Sequence, residues 1–253
     1  MPARYLLANW KMHTTVSRAV ALLEEVQDGL RRRAQGGQAL PLPIVCPPFV
    51  SLVPMGAVQD RQLVRLGAQN CHWEPEGPYT GEVSPTMLAD LVDYVLVGHS
   101  ERRAAGETDE EIAKKVGGAA AAGLVPILFV GEDQPGEAAM QQSGERLAEG
   151  VSRVDVGRQR LLVVYEPTWA IGGEEPAEPG QVQEVVAHLK GLLRQWGASD
   201  PQVIYGGTVT EDNVERFLRL EILDGVGATR ASLDSEEFLE MVDRFATTAP
   251  GGQ

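Results

Sequence analysis

Eight short runs rich in β-branched residues alternate with amphipathic stretches along this 253-residue chain. The runs fall at 5–9, 44–46, 64–68, 94–97, 125–130, 161–165, 203–205 and 222–226. They are almost continuously apolar rather than alternating, which requires burial on both faces and so a parallel sheet between helices. Helical periodicity occupies 16–33, 109–122, 181–196, 211–219 and 236–245, among other stretches. Thr108 and Glu111 have the spacing of a capping box, and Thr210 and Asp234 stand where N-caps are expected. Eight strand–helix units in this length fit a closed, single-domain (β/α)8 barrel with eight parallel strands better than an open doubly wound sheet. No linker or low-complexity segment interrupts the series, so residues 1–253 are read as one domain.

Charge and cysteines narrow the function classes. Asp and Glu number 36 against 22 Lys and Arg, a net charge of −14. That field disfavours nucleic acid and anionic membranes, while a small anion can still be held by backbone N–H groups and one lysine. The run Arg31, Arg32, Arg33 ends a helical stretch, where cations complement the dipole, and reads as a solvated helix end. Cys46 and Cys71 have neither disulfide-framework nor zinc-ligand spacing, and suggest a reducing compartment. No stretch reaches the roughly 18 apolar residues of a membrane span, and the first residues show no basic leader with a cleavage site. A soluble, cytoplasmic protein is expected.

One connection is long. Residues 70–84, NCHWEPEGPYTGEVS, have no helical period yet carry Trp73 and Tyr79. Loops of this kind in compact domains serve function or contact something else. A docking loop is expected, with a flap packed on its own barrel as the alternative.

Barrels of this class do their chemistry at the C-terminal ends of strands. Those positions hold Asn9-Trp10-Lys11 after the first run, Gly98-His99-Ser100-Glu101 after the fourth and Glu166 after the sixth. Gly206-Gly207-Thr208 and Gly227-Ala228-Thr229-Arg230 follow the seventh and eighth, where such folds often hold phosphate. Singly, each has a plainer reading: a rim lysine, a satisfied buried histidine, a helix-start carboxylate, glycines that merely turn the chain. Together they suit proton abstraction beside a carbonyl, with a carboxylate base, an imidazole donating to the developing oxyanion and an ammonium stabilising it. No metal-ligand cluster and no cofactor motif is present in the sequence, so protein groups would have to stabilise the charge.

Seven motifs share order and spacing with one family: NWK at 9–11, GAQN at 67–70, YTGEVS at 79–84, VGHSERR at 97–103, GET at 106–108, YEPTWAIG at 165–172 and YGGTV at 205–209. Through them the chain resembles the triosephosphate isomerases over nearly its whole length, the enzymes that gave the TIM barrel its name. The resemblance implies interconversion of dihydroxyacetone phosphate and D-glyceraldehyde 3-phosphate through an enediolate, in glycolysis and gluconeogenesis, without a cofactor. It implies Glu166 as base, His99 as neutral electrophile and Lys11, beside Asn9, as the cation on enediolate and phosphate. A glutamate base, a neutral histidine and a closing loop are that family's established pattern, carried over here rather than derived. Ser100 and Glu101 would support the site, with Glu101 orienting Lys11; the apparent helix start at Ser100 would also lower the His99 pKa. Residues 167–177 would form a closing lid whose Gly172 N–H, with Thr208, Thr229 and Arg230, meets the phosphate. Residues 70–84 would insert into a second subunit, bringing Thr80 to that subunit's Asn9 and Lys11 in a homodimer.

The chain departs from the family pattern in several places. Gly173-Glu174-Glu175 replaces the usual Thr-Gly-Lys of the lid, and Pro176 follows. Altered closure kinetics are expected. Thr229-Arg230 stands where two glycines are usual, with bulk and positive-φ strain expected there. Arg230 could reach outward while the backbone binds phosphate, which the tight turn favours, or offer its guanidinium directly. Thr208 replaces a serine and Phe129 a cysteine, and Pro78 lies in the docking loop. A barrel that binds sugar phosphates without turnover, a dimeric interaction protein and a different sugar-phosphate isomerase remain the competing readings.

Overall fold

Each apolar run becomes one strand of a sheet that closes on itself. The structure, a computed structural model, describes residues 4–136, 138–171, 175–228 and 230–248. The strands are β1 (Tyr5–Asn9), β2 (Leu42–Cys46), β3 (Arg65–Ala68), β4 (Tyr94–Val97), β5 (Val125–Val130), β6 (Leu162–Tyr165), β7 (Gln202–Tyr205) and β8 (Gly225–Ala228). Each pairs in parallel with the next, and β8 returns to β1 with Gly225 opposite Tyr5. The helices are α1 (Val16–Gln35), α2 (Phe49–Val58), α3 (Pro85–Ala89), α4 (Ser100–Ala104), α5 (Asp109–Ala121), α6 (Ala139–Gly150), α7 (Pro179–Gln195), α8 (Val214–Leu218) and α9 (Ser235–Thr247). Among the described residues no helix is long and apolar enough to cross a membrane.

The period of two along each strand divides the core into two layers. Leu7, Ile44, Leu96, Ile127, Phe129, Val164 and Ile204 form one buried cluster inside the barrel. Their strand neighbours Leu6, Val45, Val97, Leu128, Val130, Tyr165 and Val203 belong to a second cluster shared with the helices. This is why the runs are apolar on both parities. Helix α1 shows the matching pattern from outside: Ala19, Leu22, Leu23, Val26 and Leu30 are buried on one stripe. Thr15 caps α1 by accepting from Arg18 N–H, and Thr108 and Glu111 form the expected capping box on α5.

Two expectations fail at the last unit. Helix α8 starts at Val214 rather than near 211, and Thr210 is not its side-chain cap. Instead Asn213 Oδ1 accepts from Thr210 N–H and its Nδ2 donates to Thr208 O, folding 210–213 into a turn. Strand β8 runs from Gly225, not from 222. Ile222 and Leu223 pack toward the helical layer, in the turn closed by Leu223 N–H on Leu220 O. Asp224 then fixes the strand start: its Oδ2 accepts from Val203 N–H at 2.6 Å and lies 2.7 Å from Lys190 Nζ of α7. Only glycine fits next, because a Cβ on Gly225 would collide with the Tyr5 carbonyl. Apolar content misplaced the strand, since the segment that seals the barrel is GVGA and needs little side chain.

Candidate active site

Strand parity aims the polar groups. Val164 faces the barrel interior and Tyr165 the helices, so Glu166, the next residue, turns back toward the mouth. The same count on β1 carries Leu7 in, Ala8 out and Asn9 in. At β4, Gly98 takes φ 75°, a left-handed conformation suited to glycine, and swings His99 to the N-cap of α4.

The result is a cavity of about 210 Å³ lined by Lys11, His99, Glu166, Ile171, the 206–210 turn and Arg230. A larger cavity of about 440 Å³ opens between the strand starts, lined by Tyr5, Tyr94, Arg160 and Gln202 among others, but it holds no convergent acid–base set. The smaller cavity is therefore the candidate site. His99 Nε2 lies 3.2 Å from Glu166 Oε1, with the two side chains 8% and 4% exposed. Glu166 Oε2 accepts from Ser100 N–H at 2.9 Å. On the far edge of the imidazole, Nδ1 accepts from Glu101 N–H at 3.1 Å. A ring nitrogen that accepts carries no proton, so the neutral ring bears its hydrogen on Nε2 and points it into the cavity.

Burial is the main cause of both shifts in this pair. It holds His99 well below its usual range against the pull of Glu101, with Lys11 reinforcing the shift. It raises Glu166 to about 7, opposed by the hydrogen bonds from Ser100. The helix start at His99 contributes the N–H that fixes the tautomer, whereas low proton affinity comes chiefly from desolvation.

Lys11 reaches the cavity from a strained turn with φ 48°. Three contacts over-determine that conformation: Asn9 Oδ1 accepts from Lys11 N–H at 3.0 Å, Gln69 Nε2 donates to Lys11 O at 2.8 Å, and the same amide donates to Cys46 O at 2.8 Å. Lys11 Nζ lies 2.7 Å from Glu101 Oε1. Asn9 is buried, its carboxamide oxygen engaged by the Lys11 backbone, and it does not line the cavity. Gln69 had no role in the sequence reading, although its place at the end of β3 obeys the same strand-end rule that singled out the others.

On the phosphate-side turn, Thr208 Oγ1 donates to Ala170 O at 2.6 Å, tying the turn to the start of the 167–177 segment. Gly207 permits this close turn, because a Cβ there would collide with the Tyr205 hydroxyl. That hydroxyl accepts from Ala177 N–H at 2.9 Å. Arg230 is exposed, lines the cavity and has φ −67°, so the positive-φ strain expected at this residue is absent. Gly172, Gly173, Glu174 and Thr229 lie outside the described residues.

Thr80 sits away from this cavity on the exposed tip of the 70–84 loop. The loop packs on itself and, through Trp73, on α5. His72 stacks on Trp73 and tilts against Tyr79 at 4.1 and 4.2 Å between centroids, and Lys114 lies over the Trp73 ring at 5.5 Å. Tyr79 nevertheless stays 41% exposed.

Comparison with known proteins points to one family. The family model described as triosephosphate isomerase matches residues 4–245. A triosephosphate isomerase of Trichodesmium erythraeum is 38% identical over 94% of this chain and 97% of its own length. One from Aquifex aeolicus is 36% identical over 96% of this chain and 99% of its own. A crystal structure of triosephosphate isomerase from Bartonella henselae superposes with a TM-score of 0.82 at 27% identity, covering 96% of this chain and 98% of the other.

Proposed function

From a chain that belongs to the triosephosphate isomerase family, and so interconverts triose phosphates in glycolysis, we infer a reaction carried by Glu166, His99 and Lys11. The proposed substrates are dihydroxyacetone phosphate and D-glyceraldehyde 3-phosphate. Glu166 removes the proton from the carbon beside the carbonyl and returns it to the neighbouring carbon. A carboxylate buried to a pKa of about 7 suits the task, since it binds a proton firmly yet is available as a base near neutrality. At rest both its oxygens face protein donors, Ser100 N–H and His99 Nε2–H, and it exchanges these for the substrate when it acts. His99 donates through Nε2–H to the oxygen that gains charge, its tautomer held by Glu101 N–H. Lys11 Nζ, positioned by Glu101, balances the enediolate and the phosphate.

The observation that carries this reading is the 3.2 Å pair of a buried carboxylate and a neutral imidazole beside Lys11. Turnover of D-glyceraldehyde 3-phosphate by the purified protein, beside Glu166→Gln, tests it. Substrate binding without turnover in the unaltered protein would mean a phosphate-binding barrel instead.

The phosphate is assigned to the backbone of the 206–210 turn, with Thr208, Gly172, Thr229 and Arg230. Asn9 contributes by holding the Lys11 turn rather than by direct contact. The cavity-lining position of Arg230 favours a direct guanidinium contact over an outward one. Arg230→Gly then raises KM several-fold, and an unchanged KM returns Arg230 to the outward reading. Residues 167–177 act as the lid, because exposure to water would let the enediolate eliminate phosphate. Its two ends are pinned to the barrel through Thr168 N–H on Glu132 O and Ala177 N–H on the Tyr205 hydroxyl.

A homodimer is proposed from the apolar surface left after β1 to β3. Met12, Val50, Val53 and Met87 are 94%, 72%, 63% and 59% exposed, and all follow these three adjacent strands. The tip of the 70–84 loop rises in the same sector and would bring Thr80 to the partner subunit's Asn9 and Lys11. Two buried, unpaired thiols suit a reducing compartment, and the cytoplasm is the proposed location.

A further inference from the structure

Beneath the imidazole lies a residue the proposed mechanism does not use. Phe129, on β5, points into the barrel interior beside Ile127 and is 4% exposed. Its ring centroid is 4.9 Å from that of His99, with an interplanar angle of 64°, an edge contact of the favourable aromatic kind. Its strand register sets it opposite Val164, two residues before Glu166. The ring therefore forms the floor between the apolar barrel interior and the polar mouth.

We propose that Phe129 is a positioning residue, whose ring holds the His99 imidazole edge-on and seals the barrel interior beneath it, so that Nε2–H stays aimed at the cavity and water stays away from the His99–Glu166 pair. The geometry supports each half. The imidazole is held at Nδ1 by Glu101 N–H, which sets the tautomer, and at Nε2 by Glu166; once Glu166 leaves Nε2–H for the substrate, the Nδ1 bond alone leaves tilt about its own axis free. Phe129 supplies the contact that limits this tilt. Burial is the largest influence keeping His99 uncharged, and Phe129 is part of the wall that buries it. The charged or titratable groups near His99 are Lys11 after β1, Glu101 on α4, Glu107 before α5 and Glu166 after β6. Phe129 adds neither charge nor hydrogen bond, so its effect on the pair is through position and water exclusion alone.

The inference rests on the proposed roles of His99 and Glu166, and the test separates the two. Phe129→Leu, Phe129→Val and Phe129→Ala progressively reduce the volume beneath the imidazole, and any folded member is informative. Turnover and KM are measured with D-glyceraldehyde 3-phosphate, and His99 is titrated by NMR in isotope-labelled protein without substrate. Only four histidines are present, which keeps the spectrum assignable. The expected result is a graded fall in kcat, about tenfold for the smallest folded side chain, with KM within about twofold. This is below the roughly hundredfold loss of a 1 Å misplacement of a reacting group. Alongside, the His99 midpoint rises toward the ordinary histidine value in the same order, entering the window between about pH 5 and 8. The proposal is overturned if melting temperature falls along the series while kcat and the His99 titration stay at their unaltered values. It is equally overturned if KM rises in step with the loss of kcat. Absence of turnover in the unaltered protein would count against the isomerase mechanism, and the NMR titration would still decide the role of Phe129.

Discussion

Two buried carboxylates stand on opposite faces of the barrel wall. Glu166, after β6, faces the mouth and is 4% exposed; Glu132, after β5, is fully buried among side chains of the helical layer. Glu132 accepts from the Tyr165 hydroxyl, Trp169 Nε1, Gln181 Nε2 and Ser143 Oγ, at 2.9 to 3.2 Å. These four donors come from β6, the 3₁₀ turn that follows it, α7 and α6. Glu166 has one backbone N–H and the weakly basic imidazole. Burial alone therefore does not make a carboxylate reactive. A carboxylate enclosed by four fixed donors ties several elements together, while one with a single N–H and an open cavity in front of it is free to meet a substrate.

The largest test of this contrast is to neutralise each in turn. Glu166→Gln should lower kcat by roughly 10²- to 10⁴-fold, the usual contribution of a general base, with KM within a few-fold. Glu132→Ala should leave most of kcat but lower stability by about 3 kcal/mol or more, because it strands several buried donors, each costing about 1–3 kcal/mol. Denaturant unfolding and steady-state kinetics on both variants read the two effects side by side. A Glu132→Ala protein that kept its stability and lost its turnover would reverse the assignment.

A smaller effect follows from pH. As the proposed base Glu166 acts deprotonated, and its folded value is raised to about 7, so kcat/KM should fall as pH drops through that region. Below it the decline approaches about tenfold per pH unit, and an exposed carboxylate would instead place the limb near about 4.3. His99, held below its ordinary value, stays neutral over this range and adds no limb of its own there. A pH profile of kcat/KM, which reports the free enzyme, makes the measurement.

The mildest expectation concerns the Lys11 turn. Gln69→Ala removes the amide that donates to both Lys11 O and Cys46 O, freeing a strained backbone. A loss of about 1–2 kcal/mol in stability and a several-fold rise in KM are expected. Calorimetry with steady-state kinetics checks both, and an unchanged KM would show that the strain is held by Asn9 alone.

Most of the frame was legible in the chain because strands and helices carry their own periods. β4, β5 and the first strand appear at the expected residues, and α5 begins at its expected cap. The misreadings fall where side-chain content and backbone role part company. β8 is glycine-rich because it closes against β1, and Asn213 captures the turn that Thr210 was expected to cap. The cavity residues at the ends of β1, β4, β6 and β7 were legible through one positional rule. Gln69 obeyed it too, yet nothing in the sequence distinguishes a carboxamide that clamps a backbone from one that faces water.

By itself, the sequence determined the barrel, the order of its strands and which titratable residues stand at their ends, since each depends on contiguous residues and a local period. Only the tertiary structure decided what those residues are chemically. Ser100 meets Glu166 across 66 positions and Lys11 meets Glu101 across 90. The proton affinity of a carboxylate and the tautomer of an imidazole depend on what surrounds them in space. Here those surroundings come from the ends of β1, β4 and β6, which the chain keeps far apart.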